Sequence, residues 1–297
     1  MTSGGFVVRA PATVANLGPG FDCLALALDL ANEFVVERGA EPGVRVEGEA
    51  AGELPADGTN LVFRTVYYLG RELGGELDPF SLTCRNRVPV QRGLGSSASA
   101  VVAGLLIGCR LLGANLSPDD VLALAADIEG HGDNVAACLR GGLVLAYLSQ
   151  EGWRAESLEP SPDLRPVLMV PEAERMATGD ARRILPREVP LADASFNLGR
   201  SALAVLALTS RPDLLGAALE DRLHQGRRLV LVPAARALFQ DLREAGVPVC
   251  VAGSGPSLLA FESDGRGVWD LGPGWRVLRP AISRTGATVQ ELPDALP

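Results

Sequence analysis

The chain has 297 residues with a formal net charge of −9, and 47% of its residues are hydrophobic. This length and apolar fraction predict a globular protein of one large or two medium domains, and the acidic balance without a basic stripe excludes an extended nucleic-acid surface. All 27 Lys-plus-Arg positions are arginine, and the absence of lysine excludes a P-loop, the strand lysine of protein kinases and a Schiff-base lysine.

The first predicted element leads into a shaped loop. Residues 6–10 are a strand candidate, and residues 11–22, PATVANLGPGFD, hold two prolines and two glycines, which is typical of a loop. This loop carries Thr13, Asn16 and Asp22, whose side chains can hydrogen-bond a polar ligand. The alternative is that Asn16 and Asp22 only stabilise their own turn.

The next elements follow from hydrophobic spacing. Apolar residues alternate with small or polar ones at 24–30 and again at 44–47, so both stretches are predicted strands. Thr59 or Asn60 can then cap a predicted helix.

A predicted strand at residues 81–90 leads into the stretch on which the functional prediction depends. Gly93 and Gly95 follow it, and then come serines and a predicted helix from residue 98 to 112. A glycine loop that opens a helix presents free backbone N–H groups and the positive end of the helix dipole, which together bind an anion such as phosphate. The alternative is a serine-capped buried helix after a tight turn.

A second polar stretch, EGHGDN, lies at residues 129–134. A helix is predicted to begin at Ser117, because serine, proline and two acids are typical of a helix start, and to end where this stretch begins. Polar side chains are dense in the turn itself, which contains His131, Asp133 and Asn134. The alternative is a solvated loop.

The rest of the chain mixes helical and strand patterns, which indicates an α+β protein. A domain change is predicted near residues 150–153, and residues 178–186 form a predicted polar loop with Arg182 and Arg183. A second tight loop, GSGPS, spans residues 253–257. The remaining predicted strands are 143–148, 165–170, 247–252, 258–261, 275–278 and 288–292. The remaining predicted helices are a short one that ends at Gly141-Gly142, and 193–209, 212–219 and 233–245.

Three of these motifs resemble, in order, the signature motifs of the GHMP kinases, a family named for galactokinase, homoserine kinase, mevalonate kinase and phosphomevalonate kinase. They are PATVANLGPGFD at 11–22, GLGSS at 93–97 and GSGPS at 253–257. The first motif and EGHGDNVA at 129–136 resemble the homoserine kinases in particular. Further matches are AR before LP within 181–186, and DRLHQ at 221–225 before Arg228. The resemblance covers nearly the whole chain.

The resemblance implies an α+β fold of two domains, a ribosomal-protein-S5-like domain at residues 1–152 and a ferredoxin-like domain at residues 153–297. It implies an ATP-dependent kinase that phosphorylates the side-chain hydroxyl of L-homoserine to give O-phospho-L-homoserine in threonine biosynthesis. ATP and Mg²⁺ are the implied cofactors, L-homoserine is the implied substrate, and a homodimer is a further expectation.

The same resemblance assigns roles to individual residues. Asn60 is expected near the adenine, and the residues expected around the ATP phosphates are Pro89, Val90, Gln91, Arg92, Gly93, Leu94, Gly95, Ser96, Ser97, Ala98 and Ser99. Ser97 and Glu129 are the expected Mg²⁺ ligands, and with Asn134 they are the expected catalytic residues. The residues expected around homoserine are Asn16, Asp22, His131, Asp133, Arg182 and Arg228.

The chemistry of phosphoryl transfer agrees with these assignments. Two arginines can fork onto the homoserine carboxylate, while Asp22 or Asp133 can face its ammonium group. Asn134 stands where some relatives place an aspartate base, and an amide cannot take a proton. Alignment and charge neutralisation are therefore expected to dominate, with Asp22 and His131 as the alternative bases.

The chain departs from the family pattern in its loops. Gln91 stands where the family usually has a small residue, often glycine, and Gly132 and Ala137 replace common prolines, so only loop geometry is affected.

The alternative functions are another small-molecule GHMP kinase, such as a mevalonate-type kinase, and a non-catalytic GHMP-fold ligand sensor. The two arginines disfavour the first alternative, and an intact Ser97 and Glu129 disfavour the second.

Five cysteines lie far apart in the sequence without a C-x-x-C pair, so neither a zinc site nor a disulfide framework is predicted. They are expected to be small buried hydrophobic residues in a reducing compartment. The N-terminus lacks the apolar core of a signal peptide, and the apolar run at 98–112 is too short to span a membrane. The sequence therefore predicts a soluble, cytoplasmic protein without a nucleic-acid or membrane partner.

Overall fold

Eleven strands and nine α-helices are found in the part of the chain that the computed structural model describes, residues 4–262 and 271–293. The strands are β1 Gly5–Asn16, β2 Gly20–Arg38, β3 Gly43–Gly48, β4 Phe80–Asn86, β5 Leu143–Ser149, β6 Gly152–Leu158, β7 Pro166–Pro171, β8 Val249–Val251, β9 Leu258–Phe261, β10 Trp275–Leu278 and β11 Thr288–Glu291. The helices are α1 Leu61–Glu72, α2 Ser96–Leu112, α3 Pro118–Glu129, α4 Asp133–Arg140, α5 Thr178–Arg183, α6 Leu191–Thr209, α7 Leu215–Ala218, α8 Gln225–Leu229 and α9 Pro233–Glu244, with a 3₁₀ helix at Pro212–Leu214.

The strands form two sheets, which confirms the predicted α+β class. Seven strands make the first sheet, in the order β11-β1-β2-β4-β3, with β5 paired to β2 and β6 paired to β5. Four strands make the second sheet, in the order β10-β7-β9-β8. The β5–β6 hairpin turns at the predicted domain change, and β11 returns to the first sheet from the end of the described chain. The division into domains at residues 152 and 153 remains a prediction.

Helix α2 is the centre of the first hydrophobic core. Nearly every turn of it is buried, and α1, α3 and α4 pack around it against the seven-stranded sheet. A helix that is apolar on all sides belongs in the interior of a protein. Its first turn is therefore held in a fixed place, beside β1 and α4, where a ligand can meet it.

Capping residues act largely as the sequence predicts. Asn60 begins α1, because its Oδ1 accepts the backbone N–H of Val62 at 3.0 Å. Ser117 and Asp120 form a reciprocal capping box at the start of α3. Helix α2 begins at Ser96, two residues before the predicted start, and ends at Gly113 with φ +64°. These caps fix the ends of helices that border the cavity described below.

The predicted loop at residues 11–22 is wrong over most of its length. Strand β1 continues to Asn16 and β2 begins at Gly20, so only a three-residue turn separates them. Pro11 pairs with Ala31, and the register of the two strands shifts between Pro11 and Ala12. A bulge of this kind accommodates a proline, which has no N–H to donate to the ladder.

Several further elements differ from the prediction, including α8, which was not predicted, and β4, which ends at Asn86 instead of residue 90. Residues 178–183 form α5 instead of a polar loop, and six residues are too few to display helical periodicity in the sequence. Residues 152–158 form β6, which the sequence analysis did not predict. In residues 4–262 and 271–293, no helix has the length and apolar character needed to cross a membrane.

Candidate active site

A cavity of about 360 Å³ is lined by residues from both halves of the chain. It brings together all but one of the residues that the sequence analysis placed in the site, and these are Asn16, Asp22, Asn60, residues 89–98, Glu129, His131, Asp133, Asn134, Arg182 and Arg228. Ser99 is the exception, since its buried hydroxyl donates to the Ser96 carbonyl and accepts from Asn32. Its side chain therefore supports the loop from behind.

The three motifs that follow one another in sequence touch one another in space. The backbone N–H of Thr13 donates to the Leu94 carbonyl at 3.1 Å, and that of Gly253 donates to the Ala15 carbonyl at 3.2 Å. The side-chain amide of Asn16 donates to the Gly253 carbonyl at 2.8 Å. The first motif is thus held between the other two at one end of the cavity.

Residues 89–95, which we call the phosphate loop, approach the first motif closely. Gly95 has φ +69° and begins α2, and no side chain in the described ranges caps that end of the helix. A Cβ atom on Gly95 would lie 2.0 Å from Oγ1 of Thr13. The first N–H groups of α2 are therefore available beside the cavity, as an anion site requires.

We expect Gly95→Ala to destabilise the protein by about 2 kcal/mol, from left-handed strain and from displacement of Thr13. Gly113→Ala is the matched control, because Gly113 ends the same helix with φ +64° and its added Cβ would meet no described atom within 4 Å. It should cost about 1 kcal/mol, from strain alone. Urea unfolding of both variants measures the difference, and equal losses would contradict the close packing of the phosphate loop.

Two residues of the phosphate loop show how its conformation is held. Gln91 has φ +55°, which explains why a glycine suits this position, and its carbonyl accepts the backbone N–H of Met176 at 3.0 Å. Arg92 is buried, and its guanidinium donates to the carbonyls of Pro171 and Glu172 at 2.9 and 2.8 Å. Arg92 thus joins the phosphate loop to the end of β7.

Ser97 and Glu129 form an oxygen pair at the start of α2. Oγ of Ser97 donates to Oε1 of Glu129 at 2.5 Å, although the residues are 32 positions apart in the sequence. The described ranges contain no cluster of three or more His, Cys, Asp or Glu side chains that could hold a metal ion. Any cation at this pair would therefore need further oxygen ligands from a bound phosphate or from water.

Asn134 is held by a residue of the first motif. Oγ1 of Thr13 donates to Oδ1 of Asn134 at 2.7 Å, so the amide group of Asn134 keeps its two N–H donors. The backbone N–H of Asn134 donates to Oδ1 of Asp133 at 2.7 Å. Thr13, which the sequence analysis considered a ligand contact, orients this amide instead.

His131 and Asp133 form a buried pair with Nδ1 and Oδ1 3.0 Å apart. Burial alone lowers the pKa of His131, but the hydrogen bond and charge of Asp133, together with the charge of Glu129, outweigh burial and raise the pKa above its ordinary value. The protonated imidazole is thereby favoured at this end of the cavity.

Asp22 and Arg182 form an ion pair in the lining of the cavity. Two guanidinium nitrogens of Arg182 donate to the two carboxylate oxygens of Asp22 at 3.0 and 2.8 Å. Oδ1 of Asn16 accepts the backbone N–H of Asp22, which has φ +57°. Both charges are about one-third exposed, so a ligand with an ammonium and a carboxylate group could share this pair.

Arg228 is 3% exposed and lines the same cavity. Its Nη1 donates to the Gly253 carbonyl at 2.9 Å, and its buried Nε finds no partner within the described ranges. Burial lowers the pKa of Arg228 to about 10, against the opposing charge of Asp22, so this side chain remains a cation at neutral pH. By contrast, the neighbouring Arg183 and Arg227 are exposed.

Two residues that sequence reasoning did not single out support these arginines. The ring centroid of Phe21 lies 5.4 Å from Cζ of Arg228 and 6.0 Å from Cζ of Arg182. The imidazole of His224 lies 5.2 Å from the same ring and contacts Arg228 directly. Both residues fall inside motifs that the sequence analysis matched, but no local signal identified them.

Comparisons with known proteins agree with this geometry. The model of the GHMP kinases N terminal domain matches residues 60–142. A homoserine kinase of Streptomyces coelicolor is 43% identical over 296 residues, covering 97% of this chain and 95% of the relative. A crystal structure of homoserine kinase from Cytophaga hutchinsonii superposes with a TM-score of 0.81 at 29% identity and covers 96% of this chain and 97% of that one. Mevalonate diphosphate decarboxylase from Staphylococcus aureus shares the fold, with a TM-score of 0.65 at 18% identity. That match covers 96% of this chain and 98% of the decarboxylase.

Proposed function

This chain belongs to the GHMP kinase family, and from that premise we propose that it transfers the γ-phosphoryl group of ATP to the side-chain hydroxyl of L-homoserine. The product is O-phospho-L-homoserine, an intermediate of threonine biosynthesis. One observation carries the proposal, namely that a single cavity contains both a helix start without a side-chain cap, which can receive an anion, and charged groups that suit an amino acid. The two relatives described above at 43% and 29% identity, which match nearly the whole chain, are homoserine kinases.

ATP occupies the side of the cavity formed by the phosphate loop. The N–H groups at the start of α2 receive the phosphates, and the wall beside Asn60 offers apolar surface to the adenine, including Leu54, Pro55 and Leu61. Ser97 and Glu129 would hold Mg²⁺, because they bring a hydroxyl oxygen and a carboxylate oxygen together at the helix start. When bound, Mg²⁺ neutralises negative charge that the phosphates accumulate during transfer.

Homoserine occupies the side of the cavity that carries the arginines. Arg228 offers the homoserine carboxylate a buried guanidinium at the cavity wall, whose Nη1 is held by the Gly253 carbonyl. Arg182 also contacts the carboxylate of homoserine, while Asp22 contacts its ammonium group. Asn16, His131 and Asp133 complete the polar surroundings.

Transfer proceeds without a protein carboxylate as a general base. Asn134 is an amide whose oxygen is occupied by Thr13, so its remaining donors align the substrates but cannot remove a proton. The hydroxyl proton passes to phosphate or to water as the new bond forms. Charge neutralisation and alignment supply most of the rate enhancement, as in other phosphoryl transfers.

The proposal extends to the cellular compartment and the oligomeric state of the enzyme. The five cysteines, all within the described residues, are free thiols, which supports a reducing compartment such as the cytoplasm. A homodimer remains an expectation that analytical ultracentrifugation can test. A non-catalytic sensor is disfavoured because the Ser97–Glu129 pair is intact.

Substrate choice is the direct test of the function. We expect Mg-ATP to be turned over with homoserine, whereas mevalonate, galactose and shikimate should give essentially no product, because the site pairs an ammonium contact with a carboxylate contact. A coupled ADP-release assay with this panel measures the preference. Equal or faster turnover of mevalonate would overturn the assignment in favour of the mevalonate-type alternative.

A further inference from the structure

The buried guanidinium of Arg228 has an unusual neighbour, the imidazole of His224. Nη1 of Arg228 lies 3.2 Å from Nδ1 of His224 and donates to the Gly253 carbonyl at 2.9 Å. An arginine nitrogen can only donate, so the contact with His224 is a hydrogen bond only if Nδ1 has a free lone pair. The protonation state of this ring therefore decides whether it holds or repels the arginine.

The other ring nitrogen fixes the tautomer of His224. Nε2 lies 2.7 Å from the Gly18 carbonyl oxygen, which can only accept, so Nε2 carries the hydrogen and Nδ1 is left as an acceptor. Asp221 fixes the backbone here, because its carboxylate accepts the N–H groups of residues 223–225. His224 is 1% exposed, so water does not compete for either nitrogen.

The charges around the ring favour the same state. Burial lowers the pKa of His224 to about 4, the charge of Asp221 opposes this, and the charge of Arg228 lowers the pKa further. Oδ1 of Asp221 lies 3.8 Å from Nε2, beyond hydrogen-bond reach, so Gly18 keeps the ring hydrogen. An uncharged imidazole can thus lie against Arg228 at neutral pH.

We infer that His224 is a positioning residue, which with the Gly253 carbonyl fixes Nη1 of Arg228 and so leaves Nη2 for the substrate carboxylate. Two acceptors on one nitrogen set the plane of the guanidinium. Nε is buried without a partner in the described part of the chain, so Nη2 is the nitrogen that remains to donate to a carboxylate. This inference rests on the proposed function, in which Arg228 contacts homoserine.

Nitrogen NMR of the whole enzyme tests the tautomer. The chain has only two histidines, so a His131→Asn variant is sufficient to assign the imidazole signals of His224. We expect one protonated and one unprotonated nitrogen, with the Nε2–H pattern unchanged between about pH 5.5 and 7.5. A hydrogen on Nδ1 anywhere in that range would overturn the inference, whether or not any variant of His224 folds.

Two substitutions separate the roles of the two ring nitrogens. His224→Asn places an amide oxygen near Nδ1 and keeps an acceptor for Arg228, whereas His224→Gln places an amide nitrogen near Nε2 and keeps only the donor to Gly18. We expect His224→Gln to raise the homoserine KM about 5-fold with the ATP KM unchanged, and His224→Asn to stay within about 2-fold of the parent.

The kinetic outcomes are decisive in both directions. Equal effects of the two variants, or an ATP KM that rises together with the homoserine KM, would assign His224 to general packing and overturn the inference. Failure of the proposed function can be distinguished from failure of this inference. In that case the parent enzyme itself would not phosphorylate homoserine, while the NMR signals would still report the tautomer of His224.

Discussion

Glu129→Gln is expected to lower kcat about 100-fold and to raise the Mg²⁺ concentration needed for half-maximal rate. The substitution keeps the size of the side chain but removes the charge from one of the two oxygen ligands proposed for the cation. A charge-assisted contact contributes about 1.5–3 kcal/mol, and here it acts where phosphate charge accumulates during transfer. Initial rates over a Mg²⁺ titration, at saturating ATP and homoserine, measure both quantities.

Two further variants make this test specific. Glu244→Gln is the matched control, because Glu244 also ends a helix and is exposed, so its kinetics should equal those of the parent. Ser97→Ala removes the other proposed ligand and should shift the Mg²⁺ requirement in the same direction as Glu129→Gln. An unchanged kcat for Glu129→Gln at limiting Mg²⁺ would exclude Glu129 as a ligand.

Local sequence patterns located two of the stretches that line the cavity, and the resemblance to the GHMP kinases supplied the individual residues. A glycine-rich stretch before an apolar helix predicts an anion site, and the polar turn at residues 129–134 predicts a second cluster without reference to the fold. The structure places both along one cavity, with Ser97 against Glu129. The two stretches could be identified in the sequence because the polar groups of each motif are contained in a few consecutive residues, and their ligands remain predictions.

Pairings between distant residues were beyond the reach of those patterns. Asp22 and Arg182 are separated by 160 positions, and their pairing with each other was not predicted. Arg92 lines the cavity, but the contact of its guanidinium with two carbonyl groups at the end of β7 was not predicted either. Such choices depend on which chain segments meet, and the sequence of either segment alone does not contain that information.

The strand that continues through Pro11 illustrates the same limit. Proline and glycine predict a loop from local geometry, yet β2 pairs with residues on both sides of Pro11 and the register shift absorbs the missing N–H. Tertiary pairing here outweighs local preference. The consequence for the site is that Thr13 and Asn16 lie on a strand, which holds them more firmly than a loop would.

Arg228→Lys is expected to raise the homoserine KM by about 10- to 100-fold and to leave the ATP KM nearly unchanged. Lysine keeps the positive charge but loses the planar guanidinium with its separate donors. A single ammonium group cannot replace Nη1 and also contact the homoserine carboxylate. The expected loss corresponds to about 1.5–3 kcal/mol of charge-assisted hydrogen bonding. Steady-state kinetics with each substrate varied in turn separates the two KM values.

Arg227→Lys supplies the control for charge and composition. Arg227 precedes Arg228 in α8 but is exposed, so the same exchange of arginine for lysine should leave both KM values unchanged. Homoserine amide adds a test from the ligand side, because it keeps the hydroxyl and the ammonium but lacks the carboxylate charge. If the parent enzyme bound the amide as tightly as homoserine, Arg228 would not be the carboxylate contact. The opposite result would be weak binding of the amide to the parent enzyme and a smaller difference in affinity between homoserine and its amide in Arg228→Lys. That result would identify the guanidinium of Arg228 as the group that binds the carboxylate.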